Sequence, residues 1–236
     1  MKKIFITGIT GQDGIFLTKE LLLNDPKTTI IGTSRKTDKN LFYKKLKKID
    51  LNNFSQVKLI NVNLQSFQEV NNLVTDFQPN MVFNLAGPSS PTESLKRPAL
   101  ENEINNIFNN LTKSFIENRN FCRFFQASSS EMFGESNVPL DEKSELSANS
   151  PYAEAKINCH KAGQGLAEKY DWPIISGILF NHESEFRAEN FLFSKIVNSA
   201  IKISQDKSQT VTVGSLDLTR DWSYAEDIAE NWVARS

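Results

Sequence analysis

The chain has 236 residues, of which 39% are hydrophobic and 23% charged. That is ordinary globular composition, which excludes a disordered or fibrous chain. The formal net charge of −1 gives no reason to expect a nucleic acid or an anionic membrane as partner. Two cysteines, Cys122 and Cys159, belong to no CxxC pair, so neither a disulfide framework nor a zinc site is expected, and a reducing cytoplasm suits them.

The first run, "KIFIT", reads as a buried strand, and no signal peptide or membrane-spanning run is expected. It leads into "TGITGQDG", with Gly8, Gly11 and Gly14 spaced G-x-x-G-x-x-G, and then into the helical pattern "DGIFLTKELLLN". Glycines at a strand-to-helix turn allow a tight bend and let the backbone approach a pyrophosphate at the helix N-terminus. The position at the start of a βαβ unit makes a dinucleotide site the expectation over a structural turn.

A second strand, "TTIIGTS", ends in "GTSRKT". An NAD site usually carries Asp or Glu here for the ribose 2′-hydroxyl. This segment has Arg35 and Lys36 with Ser34 and Thr37 instead, which suits a 2′-phosphate, so NADP is expected rather than NAD. The lysine-rich "YKKLKKIDL" that follows reads as the solvated face of an amphipathic helix.

Strands are then expected at "VKLINV", "MVFNLAG", "RFFQAS" and "PIISGILFN". Helices are expected at "FQEVNNLVTDF", "ALENEINNIFNNLTKSFIEN" and "SPYAEAKINCHKAGQGLAEKY". Alternation at this spacing predicts a doubly wound parallel α/β sheet of Rossmann type, covered on both faces. After Asn181 the pattern changes to a polar loop, a helix from about Asn190, a short strand "TVTVGS" and the helical "SYAEDIAENWVARS". The expected division is a dinucleotide-binding domain over residues 1–180 and the start of a smaller substrate lobe over 181–236. The last element has barely begun where the sequence stops, so the chain is expected to be a piece of a longer one.

Two local features bear on chemistry. "RFFQAS" breaks into Ser128, Ser129, Ser130 and Glu131, polar residues at a strand end. In "SPYAEAKINC", Tyr152 and Lys156 lie four apart, on one face of a helix. Tyrosine is a weak base unless a neighbouring cation favours its phenolate, and a lysine one turn on is such a cation. A hydroxyl on an adjacent strand end completes a proton relay.

With Gly8, Gly11, Gly14, the "NLAG" loop (84–87), the serine strand end and Tyr152/Lys156, the chain resembles the extended short-chain dehydrogenase/reductases. "TGITGQDG", "GILFNHES" and "RDWSYAEDIAE" make it most similar to the GDP-mannose 4,6-dehydratase family within them. That resemblance implies a hydro-lyase, in which a nucleotide-activated hexose is dehydrated to a 4-keto-6-deoxy sugar with NADP. It implies Ser129 as the hydroxyl on the sugar's 4-oxygen, Tyr152 as base, Lys156 as its support and Glu131 as the base at carbon 5. Cofactor contacts are implied at Gly8, Gly11, Gln12, Asp13, Gly14, Arg35, Asn63, Leu64, Leu85, Ala86 and Gly87, and at Tyr152 and Lys156. Substrate contacts are implied at Ser89, Asn181, Arg187, Glu189, Lys195 and Arg220, with a homo-oligomer for the full-length protein.

His182 of "NHES" reads as a hydrogen-bonded structural residue. The chain departs from the family at Asn63, where an aspartate is usual, at Pro88 and Ser90 in place of Gln and His, and in "EFRAENF" after "NHES", which lacks the usual proline and glycine. These departures leave the sugar and the base open. A nucleotide-sugar 4-epimerase or 4-keto reductase is the alternative reading, and a catalytically silent NADP-binding protein a further one.

Overall fold

A computed structural model describes residues 1–35, 38–214, 216, 217 and 219–234. Six strands form one sheet: β1 (Lys3–Thr7), β2 (Thr29–Thr33), β3 (Val57–Ile60), β4 (Met81–Asn84), β5 (Arg123–Ala127) and β6 (Ile174–Gly177). Their order is β3-β2-β1-β4-β5-β6 and every pairing is parallel, which is the Rossmann arrangement expected. The strand order reverses between β1 and β4, and ligand crevices form outside the strand C-termini at such a point.

Period-two alternation explains why the strand interiors are apolar at successive positions. Ile4, Ile6, Phe83 and Phe125 face one core, while Phe5, Val82 and Phe124 face another. The first core is covered by α1 (Gln12–Asn24) and α2 (Lys39–Lys48). The second is covered by α3 (Phe67–Phe77), α5 (Leu100–Glu117) and α6 (Pro151–Tyr170). A short α4 (Pro91–Lys96), unforeseen in the sequence, follows the "NLAG" loop. Hydroxyl and carboxylate caps start most of these helices: Asp38 accepts from Leu41 N, Ser66 from Glu69 N, Ser90 from Glu93 N and Ser150 from Ala153 N.

On α2, Phe42 and Leu46 are buried and Lys44, Lys47 and Lys48 are exposed, as the amphipathic pattern requires. Lys45 departs from it. It is half-buried, its ammonium donates to the Thr10 carbonyl at 3.4 Å, and burial lowers its pKa.

Beyond β6 the chain forms β7 (Asn181–Glu183), α7 (Leu192–Gln205), β8 (Trp222–Tyr224) and α8 (Ala225–Ala234). Strands β7 and β8 pair in parallel with each other, so residues expected to begin a loop are instead a strand. The strand expected at "TVTVGS" does not form among the described residues, with Ser215 outside them. Thr210–Gly214 lies largely exposed without a ladder, because a strand is stable only when its backbone groups find a partner strand. Helix α8 returns to the first core, where Ala225 and Ala229 are buried and Lys19 on α1 pairs with Glu226.

Candidate active site

Two clefts open side by side above the strand C-termini. The larger, about 580 Å³, runs along the glycine loop. Gly8 sits at φ +70°, and a β-carbon there would lie 3.1 Å from the Ala86 backbone. A β-carbon on Gly14 would lie 2.5 Å from the backbone of Ile9, so α1 can approach β1 only without a side chain there. Gly11 caps α1 with no side-chain hydrogen bond, which leaves the helix N-terminus open to a ligand. A bare backbone cradle facing a free helix N-terminus suits a pyrophosphate.

The same cleft is lined by Gln12, Asp13, Arg35, Asn63, Leu64, Leu85, Ala86 and Gly87, so the expected cofactor residues meet in one place, Tyr152 and Lys156 excepted. Lys36 and Thr37 lie outside the described residues. Ser34 shares a 2.7 Å hydroxyl contact with Thr10 across the loop. Arg35 forms an ion pair with Glu103 on α5, 3.0 Å apart. Nothing in the sequence signalled Glu103, because 68 positions separate the two residues.

The smaller cleft, about 250 Å³, holds Ser129, Glu131, Tyr152 and Lys156 together with Ser89, Asn181, Arg187 and Arg220. Asp13, Leu85, Gly87, Ser89 and Arg187 line both clefts and so mark where they meet. Glu189 and Lys195, implied as substrate contacts, line neither cleft. Both are exposed, and the Lys195 ammonium donates to the Thr212 carbonyl.

Local geometry accounts for each of the expected catalytic positions. Ser129 ends the extended run after β5 and accepts the Glu131 N–H at 3.2 Å, capping the short 3₁₀ turn Ser130–Phe133. That turn sets Glu131 beside the serine at the cleft. Tyr152 stands in the first turn of α6 and its backbone N–H donates to Ser94 Oγ at 3.2 Å. Lys156, one turn on, is buried, donates to the Ala127 carbonyl at 2.8 Å and lies 5.6 Å from the Tyr152 ring centre.

A buried polar chain ties the two clefts together. Thr7 Oγ1 accepts from the backbone N–H groups of Leu85 and Ala86, both at 3.0 Å, and donates to Asn84 Oδ1 at 2.7 Å. Asn84 Nδ2 donates to Gln126 Oε1 at 2.8 Å, and Gln126 donates to the Ala127 carbonyl that also holds Lys156. The ends of β1, β4 and β5 are thus connected from the glycine loop to the lysine.

The "NHES" strand locks against the glycine helix. Gln12 Nε2 donates to the His182 carbonyl at 2.9 Å, and Ser184 Oγ donates to Gln12 Oε1 at 3.0 Å. His182 is buried, with Nδ1 2.8 Å from the Phe180 carbonyl and Nε2 3.0 Å from Asp13 Oδ1. Only the imidazolium can donate to both acceptors. Burial opposes its charge, but the Asp13 carboxylate and the Phe180 carbonyl outweigh burial and raise the pKa above 6.5. Such a group stabilises the fold fully below its ordinary pKa, and that contribution is lost as pH rises through the raised value. The thermal stability lost in His182→Gln is therefore expected to be larger at about pH 5.5 than at about pH 8.5. Melting curves at the two pH values check this, and a loss that is equal or larger at the alkaline value contradicts it.

Arg187, one turn beyond the strand, lies over the Phe191 ring at 3.6 Å and 3.3 Å from Glu183. The pairing is poorly aligned, since Arg187 Nε and Glu183 Oε2 are both buried without a hydrogen bond. Burial raises the Glu183 pKa, with Arg187 and His182 opposing the shift. An arginine at the junction of two clefts is suited to an anion.

The family model for GDP-mannose 4,6 dehydratase matches residues 5–234. The chain is 30% identical over 238 residues to GDP-mannose 4,6 dehydratase 1 of Arabidopsis thaliana, covering 97% of this chain and 65% of that relative. It is 31% identical over 252 residues to the GDP-mannose 4,6-dehydratase of Vibrio cholerae, covering 98% of this chain and 64% of that relative. The chain therefore spans just under two thirds of the length of these relatives. Among solved structures, a dTDP-glucose 4,6-dehydratase from Streptomyces venezuelae superposes with a TM-score of 0.83 at 15% identity, over 98% of this chain and 70% of that one, a likeness of fold. With the glycine cradle, the Ser-Tyr-Lys cleft and a match over nearly every residue, the chain belongs to the GDP-mannose 4,6-dehydratase family.

Proposed function

We propose that this protein dehydrates a nucleotide-activated hexose of the GDP-mannose kind to a 4-keto-6-deoxy sugar nucleotide, with NADP as cofactor. The observation that carries the reading is the meeting of Ser129, Glu131, Tyr152 and Lys156 in a cleft that adjoins the glycine cradle. When bound, the nicotinamide supplies a hydride acceptor that can later return the hydride.

The protein's own residues divide the proton work. Tyr152 removes the proton from the sugar's 4-hydroxyl, with the Lys156 ammonium beside it favouring the phenolate. Ser129 holds the 4-oxygen by its hydroxyl. A ketone at carbon 4 acidifies the neighbouring carbon, so Glu131 takes the proton from carbon 5 and the 6-hydroxyl leaves as water. Arg187 and Arg220 offer cations to the diphosphate, and Asn181 and Ser89 offer polar contacts to the sugar. Residues 1–180 would act as the cofactor-binding unit, and 181–236 would contribute to the sugar-nucleotide lobe.

Incubation with GDP-mannose and a panel of other nucleotide sugars tests the reaction. The expected product has lost one water with no net consumption of cofactor. A product of unchanged mass would replace this reading with an epimerase, and stoichiometric NADPH consumption would replace it with a reductase.

Arg35, which lines the larger cleft, supports NADP over NAD. Arg35→Ala is expected to weaken NADPH binding by about 1–3 kcal/mol, the scale of a charge-assisted contact, and to leave NADH binding nearly unchanged. Fluorescence titration with both cofactors checks it. Equal losses, or a wild type that prefers NADH, refute the assignment.

A further inference from the structure

The end of β2 lacks the carboxylate that NAD sites usually present to the ribose 2′-hydroxyl. The fold brings one there from elsewhere. Glu103, in the first turn of α5, reaches across the larger cleft and holds Arg35 Nη1 at 3.0 Å. The two side chains differ in exposure, Arg35 being 78% exposed and Glu103 only 15%. The carboxylate is therefore the packed partner and the guanidinium the solvent-exposed one.

We propose that Glu103 is a cofactor-discriminating residue, acting against Arg35 in the choice between a 2′-hydroxyl and a 2′-phosphate. This rests on the nicotinamide-dinucleotide reading given above. A phosphate that pairs with Arg35 competes with Glu103 for the guanidinium and sits near a carboxylate of like charge. A 2′-hydroxyl faces no such penalty and can donate to the carboxylate. Arg35 draws the site toward NADP and Glu103 toward NAD, so the net preference is a balance of two residues that lie on different elements. The carboxylate also strengthens the case for the site as one built for a ribose, because its position does for this chain what an acidic residue after β2 does in other dinucleotide folds.

The test is direct binding rather than turnover. NADPH and NADH are titrated by fluorescence into wild type, Glu103→Gln and Glu101→Gln. Glu101 is the other acidic residue in the first turn of α5, so its variant loses the same charge from the helix N-terminus but does not line the cleft. Glu103→Gln is expected to bind NADPH about tenfold more tightly and NADH equally or less tightly, the scale of one charge removed from beside a phosphate. The ratio of the two dissociation constants in Glu101→Gln should match wild type. A ratio unchanged in Glu103→Gln, or one shifted equally by Glu101→Gln, overturns the proposal while leaving the cofactor reading intact. Wild type that binds neither dinucleotide overturns both.

Discussion

Glu131→Gln is expected to bind cofactor and nucleotide sugar as wild type does and to lose roughly 100-fold or more of its dehydration rate, the usual scale for removing a general base. Glutamine keeps the size of the side chain, so the 3₁₀ turn and its cap from Ser129 to the Glu131 N–H are undisturbed. What disappears is the only group in the proposed mechanism that takes the carbon-5 proton. Tyr152 and Lys156 are untouched, so the steps at carbon 4 should survive. Reaction in heavy water separates the two roles, because wild type should place deuterium at carbon 5 and the variant should not. If Glu131→Gln dehydrates at the wild-type rate, Glu131 is not the base and the proposed division of proton work fails. If wild type yields a product with no loss of water, the whole dehydratase reading fails, and the epimerase or reductase reading takes its place.

Asn84→Leu is expected to cost more stability than any other single substitution considered for this protein. Asn84 is buried and uses both ends of its amide, accepting from Thr7 and donating to Gln126. Leucine is of similar size but can do neither. The Thr7 hydroxyl then loses its acceptor and Gln126 Oε1 loses its donor, at about 1–3 kcal/mol for each orphaned buried group. The combined loss is a large share of the ~5–15 kcal/mol that holds an ordinary domain together. Urea unfolding measures it as a fall in the midpoint at unchanged slope. The loss also reaches the site, because Gln126 donates to the Ala127 carbonyl that anchors Lys156. A loss below about 1 kcal/mol would mean that the polar chain relaxes around the gap and is not what joins the strand ends.

Much of the molecule was legible in the residues because its physics is local. Strands buried on both faces read as near-continuous apolar runs, and the middles of "KIFIT", "MVFN" and "RFFQA" do, with polar residues toward their ends. Helices between them carry their own caps and apolar spacing, and α3 and α6 both start on a serine that the sequence displays. The glycine loop needs no side chains, so its residues declare the backbone geometry that Gly8 and Gly14 then adopt. Tyr152 and Lys156 share a helix face by spacing alone.

The short elements after Gly177 were not legible in this way. "NHE" and "WSY" form β7 and β8 because they meet each other, whereas "TVTV" has stronger strand character and finds no ladder among the described residues. Strand propensity expresses how well a side chain fits a pleated surface, and it cannot supply the partner.

The sequence by itself determined the fold class, the backbone of the glycine loop and the shared helix face of Tyr152 and Lys156, since each depends on residues close together along the chain or on burial that repeats with period. The roles proposed for Ser129 and Glu131 came from the family resemblance. Only the tertiary structure decided which distant groups share a site. It set Glu103 against Arg35, locked Gln12 to His182 and Ser184, and left Glu189 and Lys195 outside both clefts. Such contacts depend on how a parallel sheet brings its strand ends and following loops to one edge, and no short-range pattern of residues encodes that meeting.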